Sequence, residues 1–205
     1  MNESRDTRQT LITTARKLFA RQGYEGTSIK AITSAAHANL GAVTYHFATK
    51  YKLYEEVLRS VIGPLLDEVR RATSGDGTPM DRIESGLRAY FEYMHAHPEG
   101  PSMMLHELSL NRKIPAPIRE SIAPLLALIA GLIQEGQRDG SITAGDPILL
   151  TLSTIAQPAY LLIVRRPLRE IAGLDMLDRP ERERVLDHLV AFVRRGLANT
   201  NGGHR

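Results

Sequence analysis

Apolar side chains return every third or fourth residue along almost the whole chain, and no strand-length run alternates convincingly. That spacing buries one face only if the segment is an α-helix. Leu11, Ala15, Leu18 and Phe19 follow the i, i+4, i+7, i+8 pattern of a buried helical face. Gly23 follows them and can take the left-handed conformation that ends a helix. The spacing therefore predicts a first helix over about residues 6–22 and an all-α fold.

Polar and proline punctuation divides the rest. Thr27 precedes an apolar-periodic run and is the expected cap of a two-turn helix ending near Ala35-Ala36. Asn39 is the expected cap of a short helix from Leu40 to His46, and a fourth begins at Lys50. Gly63-Pro64 is read as a kink in that fourth helix, because Leu65, Leu66 and Val69 continue its apolar face. Ser74 to Pro79 is the clearest linker. Beyond it, helices are expected over about 80–95, 102–110, 116–138, 146–166 and 180–198, two of them opening on Asp146-Pro147 and Asp178-Arg179-Pro180.

Charge adds a direction. Residues 1–60 hold nine Lys and Arg against five Asp and Glu, whereas the remainder is nearly neutral within a net +3. A basic N-terminal third suits a polyanionic partner. Cysteine is absent, which excludes disulfides and thiolate metal sites. The N-terminus lacks a signal-peptide core. The stretch Ile148 to Val164 falls short of the roughly 18–20 apolar residues a membrane span needs. A cytoplasmic protein without a membrane partner is expected.

The two short helices form a candidate helix-turn-helix. Ala31, Ala35, Ala36 and Ala38 keep the crossing small, Ile32 and Val43 fill it, and Phe47 anchors the exit. Leu40, Gly41, Thr44, Tyr45 and His46 then face outward. Such a helix fits the major groove, where its N-terminal residues reach base edges. Gly41 and Ala42 allow close backbone approach, and a methyl of Ala42 or Thr44 can meet a thymine methyl. Tyr45, His46 and Lys50 can donate to phosphates, and Thr27 and Ser28 at a helix start make another phosphate site. The same pattern also suits a plain three-helix core.

The stretch Ala15 to Lys50, ARKLFARQGYEGTSIKAITSAAHANLGAVTYHFATK, resembles the DNA-binding domain of the TetR family of regulators. The matching features are Ala15-x-x-Leu18-Phe19, Gly23-Tyr24, Thr27, Asn39-Leu40-Gly41-Ala42-Val43, Tyr45-His46-Phe47 and Lys50. His37 stands where the family usually has Gly, a place that needs an unusual backbone angle. Thr44 stands where Tyr or Asn is frequent, so no operator sequence carries over.

The resemblance implies base contacts from residues 40–46 and phosphate contacts from Thr27, Tyr45 and Lys50. It also implies a three-helix DNA-binding domain over 1–50 and a helical ligand-binding and dimerisation domain over 51–205. The implied partners are a double-stranded DNA operator, a second copy of the chain and an unknown small-molecule effector, with no cofactor. The dimer interface is expected from Leu152 and Ile155 on one helix and the apolar stripe Leu186, Leu189, Val190, Val193 and Leu197 on the last. Tyr90, Tyr93, Met103, Met104, His106 and Tyr160 are the candidate ligand-pocket residues. An effector is expected to act through the long helix that begins at Lys50.

Other chemistry finds little support. His95 and His97 on one helix point about 200° apart, which is awkward for a single metal ion. Enzyme signatures are absent: no phosphate-binding Gly loop, no G-x-S-x-G and no H-E-x-x-H. The expected function is a ligand-responsive repressor. The alternatives are a helical small-molecule-binding or interaction protein without regulatory DNA binding, and a transcriptional activator.

Overall fold

Helix boundaries are set by local polar chemistry. In the computed structural model of the chain, which describes residues 2–110 and 113–199, ten helices follow in order. Helix α1 spans Asn2–Gly26, α2 Ile29–Ala35, α3 Ala42–Phe47, α4 Lys50–Thr73 and α5 Pro79–Ala96. Then come α6 Glu99–Ser109, α7 Ala116–Asp139, α8 Pro147–Ile163, α9 Arg165–Ala172 and α10 Arg179–Leu197. Among the described residues the only extended pairing is a lone antiparallel bridge between Ile142 and Ala198.

The start of α5 shows how firmly an end can be fixed. Thr78 Oγ1 accepts from the Asp81 amide at 3.2 Å, and Asp81 Oδ2 accepts from the Thr78 amide at 3.1 Å. Two orphan donors are thereby satisfied, with Pro79 in the first turn. Asp146 does the same for α8, accepting from Ile148 and Leu149. Ser28, not Thr27, caps α2: its backbone is extended and its hydroxyl accepts from the Ala31 amide at 3.0 Å. Helix α4 continues through Pro64, as the apolar spacing requires.

The expected single helix over 146–166 is two helices. Helices α8 and α9 meet at Val164 and are bent by 69°. No side chain caps the start of α9, so its sequence carries no start signal.

The helices pack as two units. The first draws on residues up to Pro64 and on Glu99–Glu120; the second draws on Leu65–Pro98 and on residues from Ser121 onward. Packing therefore does not divide the chain at residue 50. The first half of α4 and α6 join the N-terminal helices because Leu53, Val57, Val61 and Met103 share a unit with buried Leu11, Ala15 and Phe19. The core of the second unit contains Val69, Ile83, Phe91, Leu125, Ile133 and Leu189. Helix α7 is long and apolar enough to cross a membrane by length and composition, but its Leu125, Ile129 and Ile133 lie in this core.

Candidate nucleic-acid interface

The interface rests on a buried base. Ile32 of α2 and Val43 of α3 are fully buried, and Phe47 nearly so, as the small-residue crossing predicts. The turn between the helices uses two devices. His37 takes the left-handed φ of 52°, the unusual angle that the missing glycine implies. Asn39 Oδ1 then accepts from the Gly41 amide at 3.0 Å, and the Asn39 carbonyl accepts from the Ala42 amide at 2.9 Å. Asn39 thus closes a side-chain turn instead of capping a helix at Leu40. Leu40 and Gly41 lie in that turn, and α3 starts at Ala42.

Of the five side chains expected to face outward, four are exposed and His46 is half-buried. Tyr45 is 80% exposed and Leu40 60%, with Gly41 and Thr44 also exposed. Ala42 and His46 are half-buried, and the His46 ring packs edge-on against Tyr45 at 4.9 Å. Ser28 is exposed at the start of α2. Sequence reasoning missed Thr49, whose hydroxyl caps α4 by accepting from the Lys52 amide at 3.1 Å. It also missed Lys30, an exposed cation without an ion pair among the described residues.

Two expected phosphate ligands are placed otherwise. Thr27 is fully buried, and its hydroxyl donates to the Gly23 carbonyl at 2.8 Å. Its side chain therefore has no surface to offer a phosphate. The Lys50 ammonium donates to the Tyr24 carbonyl at 2.8 Å and the Thr27 carbonyl at 2.9 Å. It is engaged inside the unit.

Helix α6 braces the same unit from its far end in sequence. The Tyr54 hydroxyl donates to Glu107 at 2.7 Å, with both residues buried. The next-door His106 ring lies against Gly23, so that a Cβ there would collide with it.

Comparison with known sequences agrees with this arrangement. The sequence profile of the tetR family of bacterial regulatory proteins matches residues 11–57, and that of a tetracyclin repressor-like C-terminal domain matches residues 79–193. The chain belongs to the TetR family. It is 22% identical to the HTH-type transcriptional repressor NicS of Pseudomonas putida, over 93% of this chain and 92% of that protein. It is 28% identical to the Probable acrEF/envCD operon repressor of Escherichia coli, over 85% and 81% of the two chains. Its fold is that of a crystal structure of a tetR-family regulatory protein from Rhodococcus RHA1, with a TM-score of 0.79 and 17% identity over 95% and 98% of the chains. This TetR-family chain is a transcriptional regulator, and its relatives are repressors rather than enzymes.

The other candidate sites of this TetR-family protein need revision. Met103, Met104 and His106 belong to the first unit, whereas Tyr90, Tyr93 and Tyr160 belong to the second. Met103 is buried among core residues, and Tyr160 is 62% exposed on α8. Tyr93 packs against His97, ring centroids 4.4 Å apart. His95 accepts at Nε2 from Arg182 at 3.2 Å, since a guanidinium only donates. Burial, then Arg182 and Arg165, push the His95 imidazole down against the opposing pull of Glu92. Tyr90 lines a small cavity of about 10 Å³ shared with Val69, Leu87, Leu125, Ile129 and Thr154, and Tyr160 lines an open groove of about 420 Å³ with Leu161, Leu174, His188 and Leu189. Burial pushes the Tyr90 phenol up, which keeps it protonated.

The dimer stripe is corrected as well. Leu186, Leu189, Val190, Val193 and Leu197 are all buried in the chain's own core, so they are not free to meet a second copy. Ile155 packs against that core too, and Leu152 remains exposed. The large exposed apolar residues of these two helices are instead Ile148, Leu149, Leu152 and Tyr160 on α8 and Phe192 on α10.

Proposed function

We propose that this regulator is a repressor that reads an inverted-repeat DNA operator as a homodimer in the cytoplasm. The observation that supports it most is the exposed set Leu40, Gly41, Thr44 and Tyr45 standing on the buried base Ile32, Val43 and Phe47. A short helix with small residues at its start admits the backbone to the major groove, and a rigid base fixes what it meets. Ala42, Thr44 and the 39–41 turn are assigned to base edges, with Ser28, Tyr45 and His46 on phosphates. The DNA-binding function is assigned to residues 1–50, on a packing unit that also includes the first half of α4 and α6.

Thr44→Ala is expected to change preference at one or two base positions while leaving binding to random-sequence duplex unaltered. The discrimination lost is on the order of 1 kcal/mol, the low end for a hydroxyl that makes one bond rather than a bidentate pair. Competition binding with single-base variants of a selected duplex measures it. A uniform loss across all duplexes would place the reading face elsewhere.

The homodimer is assigned to Leu149, Leu152 and Tyr160 of α8 with Phe192 of α10. A small-molecule effector is assigned to the cavity beside Tyr90. The residues lining it carry no formal charge, which favours a neutral, apolar molecule. Room for a single water means that such a molecule has to open the surrounding helices. Coupling to the operator has a covalent route, because α4 is one helix that contributes to both units. A tenfold loss of operator affinity needs about 1.4 kcal/mol of differential effector binding. By reciprocity, operator DNA must weaken effector binding by the same factor, and equal effector affinity with and without operator would exclude the coupling.

A further inference from the structure

We infer that Arg8 and Glu56 form a clamp that positions α3 by its exit residue, Phe47. The inference rests on the DNA-binding reading above. The Arg8 guanidinium of α1 lies over the Phe47 ring, its central carbon 5.1 Å from the ring centroid, which is within cation–π range. Glu56 of α4 holds it there, its Oε2 accepting from Arg8 Nη2 at 2.5 Å. The other carboxylate oxygen, Oε1, accepts from Arg59 at 3.0 Å. Glu56 is half-buried and engaged on both oxygens. Burial alone would raise its carboxyl, but the bonds and charges of Arg8 and Arg59 outweigh burial and leave it below its usual range. One guanidinium thus joins three helices: it belongs to α1, covers the end of α3 and is anchored on α4.

Helix α3 needs such a clamp. It has six residues, no side chain caps its start, and Ala48 at its end takes a positive φ of 64°. A helix this short is unstable by itself, and a non-glycine residue at that angle persists only where its surroundings enforce it. Val43 anchors one end of α3 in the core and Phe47 the other. A cation favours the ring face, so Arg8 fixes the tilt of the Phe47 ring as well as its depth. Thr44 and Tyr45 stand in the same turn as Phe47, and their direction is set with it. A guanidinium has five N–H groups, so the clamp leaves Arg8 donors for a DNA phosphate as well, and Glu56 is the partner that separates the two roles. Glu56 is an anion on the DNA-binding unit. On charge alone, its removal should strengthen binding to any duplex. As the anchor of Arg8, its removal should instead weaken sequence-specific binding.

The test compares wild type, Glu56→Gln, Arg8→Met and the double variant. Each is titrated at one salt concentration with a duplex selected by the wild type and with a random-sequence duplex. Glu56→Gln should bind the selected duplex about fivefold more weakly, equivalent to about 1 kcal/mol, while its affinity for the random one holds or rises. Arg8→Met should lower the ratio of selected to random affinity by a similar factor. The double variant should lower that ratio little further than either single, as one shared clamp requires. An unchanged ratio in Glu56→Gln, whether both affinities rise or fall, marks an ordinary surface charge and would overturn the inference. If Glu56→Gln does not fold, Arg8→Met decides: a loss equal on both duplexes is that of a phosphate contact alone and overturns it. A wild type that selects no duplex overturns the DNA-binding reading itself, before any variant is made.

Discussion

Leu189→Ala will destabilise the protein by about 2–5 kcal/mol, the range for emptying a buried leucine site. Phe192→Ala, less than one turn further along α10, will leave the fold nearly as stable but will weaken self-association. The contrast follows from burial: Leu189 is 2% exposed within the core of the second unit, and Phe192 is 48% exposed. A core leucine loses its transfer energy and leaves a cavity. An exposed phenylalanine loses neither in the monomer. In a twofold interface, though, one substitution removes two aromatic anchors, and such anchors carry about 2 kcal/mol or more each. Urea denaturation at fixed protein concentration measures the first effect, since association itself adds stability. Sedimentation measures the second. A Leu189→Ala protein of full stability that dissociates into monomers would return the interface to the buried stripe.

Gly23→Ala is expected to cost about 1–3 kcal/mol from the backbone alone. Gly23 sits at φ 68° and ψ 178°, a region open almost only to glycine. A methyl there also meets the His106 imidazole, which has to move and release α6 from α1. The strain falls where the α1 carbonyls are arranged for Thr27 and Lys50, so operator affinity should drop together with stability. Paired denaturation and DNA titrations check this. Stability equal to wild type would mean that the α1 break is not required. A His106→Ala background should relieve the collision but not the backbone strain.

The architecture was legible because helical periodicity is a property of each segment by itself. Leu11, Ala15 and Phe19 mark a buried face whatever they are buried against. The cap of α2 was legible to within one residue, whereas the expected Asn39 cap proved to be a turn, with α3 starting at Ala42. Thr27 and Ser28 both offer a hydroxyl, and the extended backbone of Ser28 decides which of them caps α2. The α8–α9 bend was not legible, because apolar residues run through Ile163 and Val164 without a capping side chain. Periodicity also says nothing about whose surface covers a stripe. The regular Leu186-to-Leu197 pattern is satisfied inside the chain, and Phe192, off that pattern, stays exposed. Lys50 eluded the sequence for a similar reason. Its partners are backbone carbonyls at Tyr24 and Thr27, and every residue has a carbonyl.

The exposed face assigned to DNA was well marked as a surface, since Thr44 and Tyr45 lie opposite buried Val43 and Phe47 on one short helix. DNA recognition by that face is what the proposed function depends on. The most direct test is to let the purified full chain select from a pool of random-sequence duplexes and to sequence what it retains. The expected result is an inverted repeat whose half-site centres lie about one helical turn, roughly 10–10.5 base pairs, or a multiple of it apart. Retention without sequence enrichment, or enrichment of a single motif with no inverted partner, would contradict it.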